Sequence, residues 1–230
     1  MGVTLIVAGS ILESAQSRQE FGAALSVVVK PAGVEHADEV GPRGASTLQI
    51  TFDAGAAREL LDGGRGLERW RWLHADRVVA SMLSVLRLAR RREIPSEADM
   101  EDRALDAIAA LATDEPPLRG VPAWLRRVRE ALDDGAGRTS VRDLAREAGV
   151  HEVSLSRAFR RCFGCTTTEY RRRVRLRRAA AEIETGCGQL SRIAHAAGFA
   201  DHAHMCRDFG GTTGVTPSVY RDLARGTRSG

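Results

Sequence analysis

Lysine is almost missing from this 230-residue chain: Lys30 is alone, and arginine supplies the rest of the 34 basic residues. The skew reflects GC-rich coding first, and the phosphate-matching fork of arginine only second. No apolar run is long enough to cross a bilayer, and no signal-peptide pattern opens the chain, so a membrane partner is not expected. The four cysteines make no disulfide or zinc pattern. Cys162 and Cys165 have C-x-x-C spacing, but no second pair follows, and Cys162 falls on the apolar side of a helix. Neither metal nor redox chemistry is expected of them, and the expected compartment is a reducing cytoplasm.

The net charge of +4 hides an uneven distribution. Residues 1–122 hold 14 basic against 18 acidic side chains, whereas residues 123–230 hold 20 against 12. An acidic part joined to a basic part suggests that one senses or dimerises while the other meets a polyanion.

The first fifty residues read as strands and turns. VTLIVAGSIL is a continuous β-prone run, LSVVVKPAGVEH is a strand closed by a Pro-Ala-Gly turn, and STLQITF alternates like a half-buried strand. The Gly, Pro, Asp and Glu between them read as connections. Helices follow: a short one over 54–61, a long one over 67–92 closed by cations and Pro95, and one over 96–112 opened by Ser96 and acids. TDEPPLRGVP, with three prolines in ten residues, reads as a linker. The expected fold is α+β: a small partial sheet with helices over 1–112, a linker over 113–122, and an all-α part over 123–230.

In LAREAGVHEVSLSRAFRR, residues 144–161, a helical apolar rhythm runs on both sides of one glycine. Ser140 caps the first helix. Gly149 supplies the positive φ of a tight turn, and Ala145 is small where a second helix must approach. That helix starts near Glu152 and buries Leu155, Phe159 and Cys162 at helical spacing. Its other face offers Glu152, Val153, Ser156, Arg157 and Arg160. This is a helix-turn-helix arrangement; taken alone, it is equally an ordinary helical hairpin with a solvated face.

A repeat removes much of that ambiguity. At a shift of 49, Leu144 lies over Ile193, Ala145 over Ala194 and Gly149 over Gly198. Past the turn a shift of 50 sets Arg157 over Arg207, Phe159 over Phe209, Gly164 over Gly214 and Tyr170 over Tyr220. His151 then corresponds to Asp201, a better N-cap. Between the copies, RRRVRLRR sets six arginines in eight residues. They repel one another unless an anion lies nearby, and DNA phosphate is the natural candidate.

These motifs, over 124–225, resemble the AraC/XylS family of bacterial transcription regulators, above all IAHAAGFADHAHMCRDFGGTTGVTPSVYR in the second copy. Five positions depart from the family pattern: Thr167 stands where Pro is usual, Met205 replaces an aromatic, Gly210 and Gly211 replace a basic pair, and His151 replaces a small hydroxyl cap. The resemblance implies that each second helix enters a major groove. The implied base-facing residues are Val153, Ser156 and Arg157 in the first unit, and His202, Ala203, Cys206 and Arg207 in the second. Arginine is the side chain best matched to guanine, whereas Ala203 and Cys206 offer only weak or apolar contacts. Phosphate contacts are assigned to Arg160, Arg161, Arg171, Arg172 and Arg175. The function implied is a sequence-specific, ligand-responsive regulator of double-stranded DNA, activator or repressor, in the bacterial cytoplasm at the nucleoid. A small-molecule effector and RNA polymerase are the further partners. No catalytic residue, metal or cofactor is assigned.

The N-terminal half resembles part of that family's cupin-like sensor domain, since VVVKPAGVEH looks like its P-x-G-x-x-H strand-turn. Cupin metal sites draw further His and Glu ligands from an earlier strand, usually as H-x-H. No histidine precedes His36, so a metal is not expected there. The opening strands of a full cupin are missing from the sequence, which leaves either a short domain or an upstream start. A metal-cupin enzyme with a DNA-binding tail needs a ligand cluster that the sequence lacks. A non-specific architectural protein would not need two differently decorated recognition helices. A truncated sheet has an exposed edge and a thin core, which favours self-association, so a homodimer through 1–112 is expected.

Overall fold

The computed structural model describes residues 1–16, 18–53, 55, 69–73, 76–91, 95–112, 121–134, 139–185 and 188–226. Among the described residues, five antiparallel strands come first: β1 (Gly2–Ala15), β2 (Arg18–Ala23), β3 (Val27–Lys30), β4 (His36–Thr51) and β5 (Arg71–Leu73). β1 is central. β4 runs along one edge of it, β3 and β2 share the other edge, and β5 extends β3.

β1 reads as an unbroken apolar run because both its faces are covered. Val3, Leu5 and Val7 face the main core with Val27, Val29 and Leu73. Ile6 and Ile11 face the other way, against Val28, Trp70 and Trp72. Glu13 is buried on β1 and accepts from Trp70 Nε1 at 2.7 Å.

Two expectations are corrected here. β4 is longer than STLQITF, and β2 occupies a stretch read as connection. Both carry mostly exposed side chains, so pairing with β1 forms them rather than an apolar alternation. The helix read over 67–92 is β5 followed by α1 (Asp76–Ala89), and Trp70 and Leu73 belong to the sheet cores. Their spacing merged with the helical rhythm downstream. The helix read over 54–61 lies outside the described residues except for Gly55, as does the 113–122 linker except for Val121 and Pro122.

α2 (Glu97–Ala112) begins after Ser96, whose Oγ accepts the Asp99 amide at 3.2 Å. Then come α3 (Ala123–Asp134), α4 (Val141–Glu147), α5 (Glu152–Phe163), α6 (Thr167–Glu184), α7 (Leu190–Ala196), α8 (His202–Thr213) and α9 (Pro217–Gly226). Among the described residues, no helix is long and apolar enough to cross a membrane.

The helices divide between two cores, and the division falls inside α6. Its Tyr170 and Val174 pack with Leu125, Val128, Leu144, Leu155 and Phe159 of α3, α4 and α5. Its Leu176, Ala179, Ala180 and Ile183 pack instead with the sheet, α1, α2, Met205, Phe209 and Tyr220. Each fully buried Leu or Phe contributes about 1.5–3 kcal/mol. The first helix-turn-helix unit therefore has a core of its own, and the second shares one with the sheet.

Candidate nucleic-acid interface

The second helix of each helix-turn-helix unit is built the same way. Ser140 Oγ accepts the Asp143 amide at 3.1 Å and caps α4. Gly149 takes φ +68° and turns the chain, as Gly198 does at +88° in the second copy. His151 caps α5 through Nδ1, 3.2 Å from the Val153 amide. Asp201 caps α8 more tightly, at 2.6 Å from the His204 amide, and that bond holds its carboxyl below the usual range. Both helices end on a left-handed glycine, Gly164 at +70° and Gly214 at +69°.

An aromatic pair fixes the back of each of these helices. Phe159 on α5 meets the edge of Tyr170 with 5.4 Å between ring centroids, and Phe209 on α8 meets Tyr220 at 5.2 Å. All four rings are buried. Phe159 lies two residues after Arg157, and Phe209 two residues after Arg207. Met205 is wholly buried, so the departure from an aromatic there still fills the core.

The front faces are open. Val153 is 49% exposed, a large apolar side chain in water. Arg157, His202, Ala203 and Arg207 are exposed, and Ser156 and Cys206 are half-buried. Cys206 Sγ lies 3.2 Å from His202 Nε2 one turn away, and burial pushes its thiol up, away from thiolate. A thiol in that state suits weak or apolar contacts.

The cations divide into two groups. Arg160 and Arg161 are exposed at the end of α5. The arginines of α6 are instead matched inside the protein. Arg172 and Arg173 both bind the Asp76 carboxylate at the start of α1, Arg173 Nε at 3.1 Å. Arg177 binds Asp133 at 3.1 Å, and Arg178 donates to the carbonyls of Asp133 and Asp134 at the end of α3. Arg175 donates to the Gly198 carbonyl at 3.4 Å and lies over the Phe199 ring. Burial, with Arg171 and Arg172 beside it, lowers the Arg175 guanidinium from its ordinary value. Asp76, Asp133 and the C-terminus of α3 thus offset part of the cluster's charge, and an external anion is not its sole partner. Arg172, assigned to phosphate, is held by Asp76.

Asp76, Asp133, Glu184 and Arg90 were not singled out in the sequence. Their contacts span 37 to 175 residues, and no local pattern marks them. On the sheet, Glu13, His36 and Asp38 bring potential ligand atoms within 4.8 Å of one another. The Lys30 ammonium already sits there, 3.3 Å from Glu13 and 2.9 Å from Asp38.

Residues 144–222 match a family described as a helix-turn-helix domain. The chain is 34% identical over 84 residues to the HTH-type transcriptional activator AarP of Providencia stuartii, across 36% of this chain and 62% of that protein. The match thus spans less than two thirds of the curated relative. Among solved structures, the C-terminal domain of AraT from Geobacillus stearothermophilus has a TM-score of 0.42 at 21% identity, covering 44% of this chain and 86% of that one. ToxT from Vibrio cholerae has a TM-score of 0.44 at 14% identity, covering 98% and 89%. From Leu144 to Asp222, with its two glycine-turned units and their Phe–Tyr supports, the chain is thus similar to helix-turn-helix domains.

Proposed function

We propose that the protein is a sequence-specific transcription regulator that sets α5 and α8 into successive major grooves of double-stranded DNA. One observation carries this reading: two equivalent helices each present an open face directly opposite a buried Phe–Tyr pair. A rigid back and a free front are what groove docking requires. Val153, Ser156 and Arg157 read one half-site, and His202, Ala203, Cys206 and Arg207 the other. Arg160 and Arg161 take phosphate directly, with Arg171 and Arg175 beside them. Arg172 reaches phosphate only by leaving Asp76.

The stretch 123–230 is the reading part and 1–112 the sensing and dimerising part, though their apolar cores are continuous. The similarity to AarP, a transcriptional activator, supports activation; RNA polymerase is the partner that activation would engage. A small-molecule effector acts through the sheet, and the work is done in the bacterial cytoplasm, at the nucleoid. No catalytic step is assigned. Two copies on one operator raise the effective concentration of the second; sedimentation of the full chain tests this, and a monomer would remove it.

The deciding experiment is a footprint on the promoter beside the protein's own gene. One copy should protect an asymmetric site of two grooves, centres about 34 Å apart on one side of the duplex. Protection of a single groove would overturn the reading.

A further inference from the structure

The chain has two tyrosines, equivalent in the repeat but held by different parts of the protein. Tyr170 donates to both oxygens of Asp133 on α3, at 2.9 Å each, so the first reader is anchored within its own unit. Tyr220 donates to the carbonyl of Val7 on β1, 213 residues away.

That carbonyl is available for a specific reason. The pairing of β1 with β4 slips twice, between Ile6 and Ala8 and between Gly9 and Ile11. Each bulge takes backbone groups out of the ladder. Tyr220 takes the carbonyl of Val7 at the first slip. Glu184, the last residue of α6 and 2% exposed, accepts the Gly9 amide at the second, at 2.7 Å. Gly9 has φ +75°, and a Cβ there would lie 1.9 Å from the Gly44 carbonyl oxygen. Only glycine forms this bulge. At the rim, Arg90 beyond α1 donates to the Leu223 carbonyl on α9 at 2.7 Å.

We infer that the two breaks in the β1–β4 ladder are the control surface for the second reader alone, with Tyr220 and Glu184 as positioning residues. The inference rests on the reading of α5 and α8 as DNA readers. A displacement of β1 reaches α8 through Tyr220 and the Phe209 ring behind Arg207. The first reader has its own core and its own anchor, and its Arg129 on α3 lies near Glu20 on β2, whose partner on β1 is Glu13, outside both breaks. An event in the sheet thus changes which bases the second unit accepts while the first stays on DNA.

The test is half-site-resolved footprinting of the full chain, with thermal melts as the folding control. The bases at which Arg157→Ala and Arg207→Ala relax selectivity assign the two half-sites. Tyr220→Phe and Glu184→Ala should weaken protection of the α8 half-site about tenfold, the weight of one lost buried hydrogen bond, and leave the α5 half-site within about twofold. Glu184→Gln keeps an acceptor and should restore it. Tyr170→Phe should do the reverse. Arg90→Ala opens no core, and decides the matter if Tyr220→Phe does not fold. Equal loss at both half-sites, or no change in the folded variants, overturns the inference. A wild-type chain that protects only one groove refutes the DNA reading itself, a separate outcome.

Discussion

Arg173 and Asp76 form an ion pair, 3.1 Å from Nε to Oδ1, that ties the central helix α6 to the first residue of α1. The same carboxylate holds Arg172. One carboxylate thus offsets part of the charge of two arginines that, on the proposed reading, lie on the helix between the two DNA-reading units. Asp76→Asn should free them. The slope of log K against log salt should then steepen by about one for each arginine that reaches the backbone, on any sequence. Fluorescence anisotropy over a salt series measures it. An unchanged slope would show that neither arginine comes within reach of phosphate.

Arg157 and Arg161 should behave differently although both are exposed on α5. Arg157 lies with Val153 and Ser156 on the open face, and Arg161 in the last turn. Arg157→Ala should cost about 1–3 kcal/mol on the best site and relax selectivity at one or two base pairs. Arg161→Ala should weaken all sequences alike and flatten the salt slope by about one. The same profile for both over a base-substituted panel would overturn the division.

The repeat unit was legible because its structure is local. Ser140, Gly149, Asp201 and the Phe–Tyr spacing all act within about one helix of themselves, and each stands where the sequence placed it. What was not legible depends on distant partners. RRRVRLRR looked like an excess of charge because Asp76 and Asp133 lie 97 and 44 residues from the arginines that they bind. β2 and β4 carry mostly exposed residues and exist because β1 lies beside them. The continuity of the second reader's core with the sheet leaves no periodic trace at all.

Both tyrosines should remain protonated well past the ordinary phenol range. Burial pushes each up from 10.0, helped by Asp133 at Tyr170 and by Glu184 at Tyr220. A group whose pKa is raised by folding adds stability that is complete below its unfolded value and is lost as pH rises towards its folded one. Stability should therefore fall above about pH 10, and the tyrosinate absorbance should appear together with unfolding rather than before it. Tyr170→Phe should remove part of the alkaline loss. Tyrosinate appearing at pH 10 in a chain still folded by circular dichroism would count against both anchors.

Gly149 offers the cleanest separation of backbone strain from packing. Its φ is +68°, and a Cβ built there meets nothing within 4 Å. Space is therefore not the constraint, and any cost of substitution is conformational. The turn must also keep the Gly149 amide 3.1 Å from the Arg146 carbonyl and the Val150 amide 3.0 Å from that of Ala145. Gly149→Ala should destabilise the first unit by about 1–2 kcal/mol, the cost of a left-handed residue that carries a Cβ. Gly149→Asn should cost less, because asparagine tolerates that region. The second reader, built on a different core, should keep its half-site in both variants. Denaturant melts give the order of stabilities, and half-site footprints show which reader suffers. Equal costs for Ala and Asn would mean that the left-handed conformation does not set the turn.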